Sequence, residues 1–478
     1  MTLKRNKIIF ITTGVLVLVV VAGIIAILLN IQAFKPQIEA AASDAMGMEV
    51  RIKGRLGIAL FPGIGISLRD ISVRNKGTDV VTVEKMKIGL KFIALTRREV
   101  RINRVRLIKP VLSLVRYKNG TFNFEKSGRA PSGRPLAVEK ISIAEGKLIY
   151  TDESSGGKIK ADNFEGAIQN LFYRGKAVGG PFKNISFDGD LRCKTLTINK
   201  LTLTNLVMRT TGENGIFEVN PVSMNLIGGK GKGSVHVDVT KSSPHYRLIA
   251  ALNRFRIEEV IQAFSTGEAP RKSMEGTVNF SADLKAAGKN MDEVKRSLNG
   301  GLSLNGEDLT LIGVDIDVLI PKYKRSQNFN LVDVGAYFLV GPFGPVLTKS
   351  YNFGSLYEES RGGQGSIKKL VSIWKVNNGI VVATDVALAS KKYRIAMKGG
   401  LNFNDNQFVD VTVAAIDKRG CAVYSQKVRG PFRKPQIEKV NVFRSLTGSV
   451  SNALEDASQF IQGKKCEVFY SGSVAHPE

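Results

Sequence analysis

The sequence predicts a mainly β protein carried on one N-terminal membrane-spanning helix. Three observations predict it. Ile8–Leu29 is an apolar run of 22 residues without a charge. From Glu49 onward, apolar and polar residues alternate at period two through most of the chain, the pattern of strands with one apolar and one wet face. Gly-rich turns separate these runs, and few stretches carry helical spacing.

The elements follow in chain order. Residues 1–7 carry Lys4, Arg5 and Lys7 and are expected as a cytoplasmic tail. Residues 8–29, as a helix, reach roughly 33 Å, enough to span a bilayer. A cleaved signal peptide is the alternative, although its apolar core is usually only about 7–15 residues. "AFKPQIEAAASDAMG" then reads as a short helix, with Pro36 in its first turn, a narrow stripe of Ile38, Ala41, Ala42 and Ala45, and Gly47 to end it.

A first β region spans 30–126. Its apolar series are Ile58 and Leu60, then Ile64, Ile66 and Leu68. Met86, Ile88, Leu90 and Phe92 follow, then Val105 and Leu107, then Leu112 and Leu114. The phase slips after Asp70, to Ile71 and Val73, and again around Pro110. Such slips mark bulges or strand ends, which bend a sheet. Residues 127–137 form a Gly/Pro/Ser-rich linker loop, 138–265 a middle β region, and 266–478 a C-terminal β region. Helices are expected at "RIEEVIQAF", at "NMDEVKRSL" with Asn290 as N-cap, and at 442–462. The last would cap a sheet edge or a groove end.

The formal charge of +27 calls for a compartment before a partner is chosen. The anchor places almost all of that charge outside the cytoplasm, where nucleic acid is scarce. Anionic lipid or lipopolysaccharide surfaces are the expected polyanions, and a solvated basic surface is the plainer reading. Of three cysteines, Cys421 and Cys466 are the candidate disulfide, both lying within the last sixty residues. Cys193 reads as a lone thiol on a strand.

No catalytic constellation stands out, so no enzyme activity, cofactor or metal site is expected. His236, His245 and His476 have no nucleophile nearby in sequence. "GGKGKGS" at 228–234 lacks P-loop spacing and reads as a turn. Asp315 and Asp317 read as turn carboxylates, and Trp374 as core.

The order "FKP", "LFPGIGISLRDISVRN", "VTVEKMKIGLKF", "INRVRLIKPVLSLVRYKNGTFNF" resembles the N-terminal region of the AsmA family of bacterial envelope proteins. "SLNGGLSLNGEDLTLIGVDIDVL", "WKVNNGIVVATDVALASKKYRIAMKGGLNF" and "QKVRGPFRKPQI" fit its C-terminal half, so the resemblance covers roughly residues 1–125 and 270–440. It implies an inner-membrane, single-pass protein with a cytoplasmic N-terminus and a periplasmic body. It also implies an elongated, curved, taco-like antiparallel β groove with a few short helices and a C-terminal capping helix. The trough would bind phospholipid acyl chains and serve lipid transport and outer-membrane biogenesis, with periplasmic or outer-membrane protein partners. Ile58, Leu60, Ile64, Ile66, Leu68, Met86, Ile88, Leu90, Phe92, Val105, Leu107, Leu112 and Leu114 become the groove candidates. Pattern alone leaves a closed two-sheet sandwich open, and with it a scaffold or assembly factor acting through its surface.

Overall fold

The structure is a computed structural model that describes residues 31–59, 65–90, 102–125, 136–174, 181–264, 273–326, 338, 363–438, 441–442 and 467–478. The expected spanning helix 8–29 and the tail before it lie outside the described residues, as does almost all of the expected capping helix 442–462. Among the described residues no helix is long and apolar enough to cross a membrane. The fold is mainly β, and the chain divides into two compact units, 1–219 and 220–478.

The first unit opens with helix α1 (Lys35–Met46). Pro36 sits in its first turn, and Gly47 ends it at φ 64°, donating its N–H to Ser43 O at 2.8 Å. Nine strands follow: β1 (Glu49–Ile52), β2 (Gly57–Ala59), β3 (Gly65–Asn75), β4 (Thr78–Leu90), β5 (Ile102–Arg116), β6 (Leu136–Asp152), β7 (Lys158–Tyr173), β8 (Ile185–Ile198) and β9 (Leu201–Glu213). From β3 to β9 each strand pairs with the next, while β1 and β2 share the free side of β3.

One pairing departs from the expected antiparallel pattern. β5 and β6 run parallel, with Val105 opposite Ile141 and Leu112 opposite Leu148. The reason is the connection between them. The chain leaves β5 at Arg116 and re-enters at Leu136, and a parallel neighbour needs a return crossing of about a dozen residues or more. The segment expected as a linker loop, 127–137, lies almost wholly outside the described residues.

The second unit contains β10 (Ile216–Leu226, which begins in the first unit), β11 (Gly229–Asp238), β12 (His245–Arg256), α2 (Ile257–Phe264), β13 (Ser273–Glu275), β14 (Thr277–Ala287) and α3 (Met291–Arg296). It continues with β15 (Asn299–Ile312), α4 (Ile316–Ser326), β16 (Gln364–Asn377), β17 (Ile380–Ala389), β18 (Arg394–Asn402), β19 (Gln407–Ile416), β20 (Ala422–Pro431), β21 (Gln436–Ile437) and β22 (Asn441–Val442). An antiparallel ladder runs β11–β12–β14–β15–β16–β17–β18–β19–β20.

One face of this ladder's β16–β20 stretch is buried, and the other is covered in part, Ile373, Val382, Val409 and Val423 remaining exposed. On one face Leu304, Leu370, Trp374, Ile395 and Val413 are buried together with Ile257 of α2, Ile316 and Ile320 of α4, and Phe338. On the other, Val371, Ala387, Ala396 and Ala414 pack under Tyr470 and Val474 of the C-terminal segment. Trp374 is core, as expected, and its indole N–H donates to Ser372 Oγ at 2.6 Å.

Asn290 caps α3 by accepting from Glu293 N at 2.9 Å. Helix α4 was not expected, because "GVDIDVL" alternates like a strand and Pro321 sits inside the helix. Asp315 caps it, accepting from Asp317 N at 2.9 Å, while Asp317 accepts from Ser390 Oγ at 2.6 Å and Lys392 N at 3.0 Å. Both carboxylates thus serve local structure. Of "GGKGKGS", only the start is a turn, since 229–234 lie in β11. Glycine is needed there for close approach: a Cβ on Gly233 would stand 2.5 Å from Ile249 O of β12.

Candidate apolar binding face

The ladder registers of the first unit place one apolar series after another on the same face. Ile66 lies opposite Ile88, and Ile88 opposite Val105, which meets Ile141 of β6. Leu68, Met86, Leu107 and Ile143 form a second row, and Val81, Leu112, Leu148, Ala161, Leu196 and Leu203 a third. The face is therefore continuous across seven strands, β3–β9. It stays continuous although every strand shifts its alternation by one residue midway.

The shifts fall at one level. Asp70 and Glu84 lie between the pairs Arg69–Lys85 and Ile71–Val83, Lys109 lies between Ile108 and Pro110, Glu145 and Asn163 lie beside the register shift at Gly146–Phe164, and Lys194 and Asn205 lie between Cys193–Leu206 and Thr195–Thr204. Five of these, Asp70, Lys109, Glu145, Asn163 and Asn205, adopt left-handed backbone with φ between 49° and 55°. One residue out of phase in each strand, with a register shift between β6 and β7 at this level, marks a crease across the sheet. At the crease Gly146 of β6 faces Phe164 of β7, where a Cβ would stand 2.6 Å from the ring.

Burial along this face is uneven. At the β1–β4 end α1 covers it. Ile38 and Ala42 pack against a cluster of Val50, Ile52, Leu56, Leu68, Ile71, Val73 and Val83. Beyond that end, Phe164, Cys193, Leu203 and Leu206 are buried, but Val105, Leu112, Leu114, Ile141, Ile143, Leu148, Leu191 and Leu196 are only half-buried. Half-exposed aliphatic side chains in a contiguous stretch of this size mark a surface built to be covered. Burying them would be worth roughly 25 cal/mol per Å² of apolar area.

The groove candidates divide accordingly. Leu68 belongs to the covered core at 4% exposure, and Ile58, Ile66, Met86, Ile88 and Leu107 pack against it. Val105, Leu112 and Leu114 lie on the half-exposed stretch of the same face. Leu60, Ile64 and Phe92 lie outside the described residues, and of Leu90 only the backbone is described, opposite Ile102. The face continues through β6–β9, whose residues the candidate series did not reach. The same three-residue step, Ile159–Ala161–Phe164 or Leu201–Leu203–Leu206, is visible there in the sequence.

Cys193, mid-face, is a free thiol at 3% exposure, and burial pushes its pKa up. Cys421 is disulfide-bonded, while Cys466 lies outside the described residues.

The opposite face carries an open depression of about 1040 Å³ along the crease. Asp70, Glu84, Lys109 and Glu145 line it, and Lys109 pairs with Glu84 at 3.1 Å. Charged side chains of both signs line it beside Ile71, Val83 and Val111, which suits an acyl chain less well than the aliphatic side does. Among the described residues no group of three His, Cys, Asp or Glu side chains could hold a metal ion.

Strands in a long ladder with a half-covered apolar face define an open β-sheet protein. The chain belongs to the AsmA family, whose model matches residues 2–195 and 183–333. Neither a curated protein nor a solved structure matches it. Family and fold are consistent with a role in lipid transport and the cell envelope.

Proposed function

We propose that the half-exposed apolar face of β5–β8 binds phospholipid acyl chains, and that the protein is a non-enzymatic, inner-membrane-anchored contributor to lipid transport and outer-membrane biogenesis. Its body would lie in the periplasm, tethered by residues 8–29. The observation that carries this reading is the contrast between the two units. The ladder of the second unit buries one face of β16–β20 in a core and part of the other under its C-terminal segment. That of the first presents an aliphatic surface, continuous through matched registers, that its one described α-helix covers only at the β1–β4 end.

The test is native mass spectrometry and lipid extraction on the full chain, purified gently. Leu112→Asp with Leu148→Asp puts two carboxylates side by side on the face. Ser113→Asp with Ile149→Asp, the neighbouring pair, puts them on the other side. The reading expects lipid on the wild type and on the control pair, and lipid lost from the first pair at unchanged export. Equal loading of all three would overturn it. A lipid-free, stable wild type would turn attention to a surface-acting scaffold.

A further inference from the structure

We propose that a basic patch on the polar face of the first unit holds this protein against an anionic phospholipid bilayer. The inference rests on the chain being anchored through residues 8–29, and does not require that acyl chains enter the apolar face.

Six cations make the patch: Arg69 of β3, Lys85 and Lys87 of β4, Arg104 and Arg106 of β5, and Lys140 of β6. The ladder sets them against one another. Arg69 lies opposite Lys85, Lys87 opposite Arg106, and Arg104 opposite Lys140. Among the described residues none of the six has an ion pair, whereas Lys109 meets Glu84 at 3.1 Å and Arg209 meets Asp190 at 3.3 Å. Like charges directly opposite on neighbouring strands repel. The fold tolerates this repulsion, and a surface of negative headgroups would relieve it.

Position selects the bilayer among possible polyanions. All six residues lie on one side of the crease, towards the sheet end that carries Gly65, Leu90, Ile102, Leu136 and Ile185. The N-terminal segment is fastened on that same side. Gln32 Nε2 donates to Leu56 O at 2.7 Å, and Leu56 N donates back to Gln32 Oε1 at 3.2 Å. Lys35 Nζ donates to Gly54 O at 3.3 Å, and Gly54 N donates to Arg69 O at 3.1 Å. The apolar run ends at Leu29, so at most about 11 Å of chain separates it from Gln32. From β3 to β6 the patch is roughly 15 Å wide, which keeps all of it close to the point of tethering. Each cation at an anionic surface raises surface affinity roughly fivefold.

The experiment uses the full chain in two nanodiscs, one of phosphatidylcholine and one with phosphatidylglycerol added, and follows lysine acetylation by peptide mass spectrometry. Lys85, Lys87 and Lys140 should react about fivefold or more slowly in the anionic disc. Lys158 and Lys200, at the opposite strand ends, should not change. Salt at about 1 M, where screening acts within about 3 Å, should restore the three rates. Arg104→Gln with Arg106→Gln should abolish protection of Lys85 and Lys87, and Arg104→Lys with Arg106→Lys should keep it. Equal rates in the two discs, slowing of all five lysines together, or protection surviving in the glutamine variant would each overturn the proposal. Lipid loading of the apolar face, measured on the same samples, should be unaffected by the glutamine variant, which separates this proposal from the one before it.

Discussion

At the scale of single residues, the crease is made by side chains that tolerate left-handed backbone at a cost. A left-handed conformation costs an L-residue roughly 1–2 kcal/mol, least for Asn and Asp. Asn205→Val should therefore destabilise the first unit by about 1–2 kcal/mol, and Asn163→Gly should leave it unchanged or stabilise it by up to about 1 kcal/mol. Chemical denaturation midpoints measure both. The slips at Asp70 and near Pro110 were legible in the sequence, because broken alternation is a local signal. That Glu84, Lys109, Glu145, Asn163, Lys194 and Asn205 share one level was not, because level depends on pairing between distant segments.

A second residue-scale expectation concerns the C-terminal segment. Asp385 accepts from Tyr470 Oη at 2.5 Å and from Ser473 N at 3.0 Å. Burial disfavours its charge, but these hydrogen bonds prevail and hold its pKa below the usual value. A carboxylate depressed in the folded state contributes stability that is full above its unfolded pKa, about 3.9, and disappears as pH falls through the folded value. Hydrogen exchange of 467–474 should therefore accelerate below about pH 4. In Asp385→Asn it should already be fast at neutral pH and show little further change. Arg394 secures the same segment from the other side, with Nη1 on Val474 O at 3.0 Å and the guanidinium 5.4 Å from the Tyr470 ring centre.

At the scale of elements, helices with a cap signal or clear helical spacing were readable, and the one that begins inside an alternating run was not. Lys35–Met46 has Pro36 and Gly47, and Met291–Arg296 has Asn290. Ile316–Ser326 begins inside an alternating run, and its cap, Asp315, looked like one of a pair of turn acids. The parallel β5–β6 pair was also hidden, since alternation looks the same whichever way a neighbour runs. Cys421, beside the Cys421–Val468 bridge, supplies a prediction here. Non-reducing peptide mapping should recover Cys421 linked to Cys466, with Cys193 alkylated only after denaturation. Closing a loop of that size is worth roughly 4 kcal/mol in the chain-entropy account, so reduction should loosen 467–474 before either ladder melts.

At the scale of the whole molecule, two units with different kinds of core should respond differently to ligand. Scanning calorimetry with and without extraction of bound lipid should show one transition that shifts and one that does not. The shifting transition belongs to residues 1–219, which Gly146→Val should lower as well by driving a side chain into Phe164. A single transition indifferent to lipid would count against acyl chains on the β5–β8 face. The crease carries a consequence for how such a chain can change. Each strand from β3 to β9 is written in two reading frames joined at one residue, odd positions facing the apolar side before the junction and even positions after it, or the reverse. Deleting Asn163 would merge the two frames of β7 into one alternation and move half of the strand by one residue against β6 and β8, and inserting one residue between Ala161 and Phe164 would restore the pairing. Frame, more than residue identity, is what the crease conserves, so insertions and deletions within these strands are tolerable only in compensating pairs.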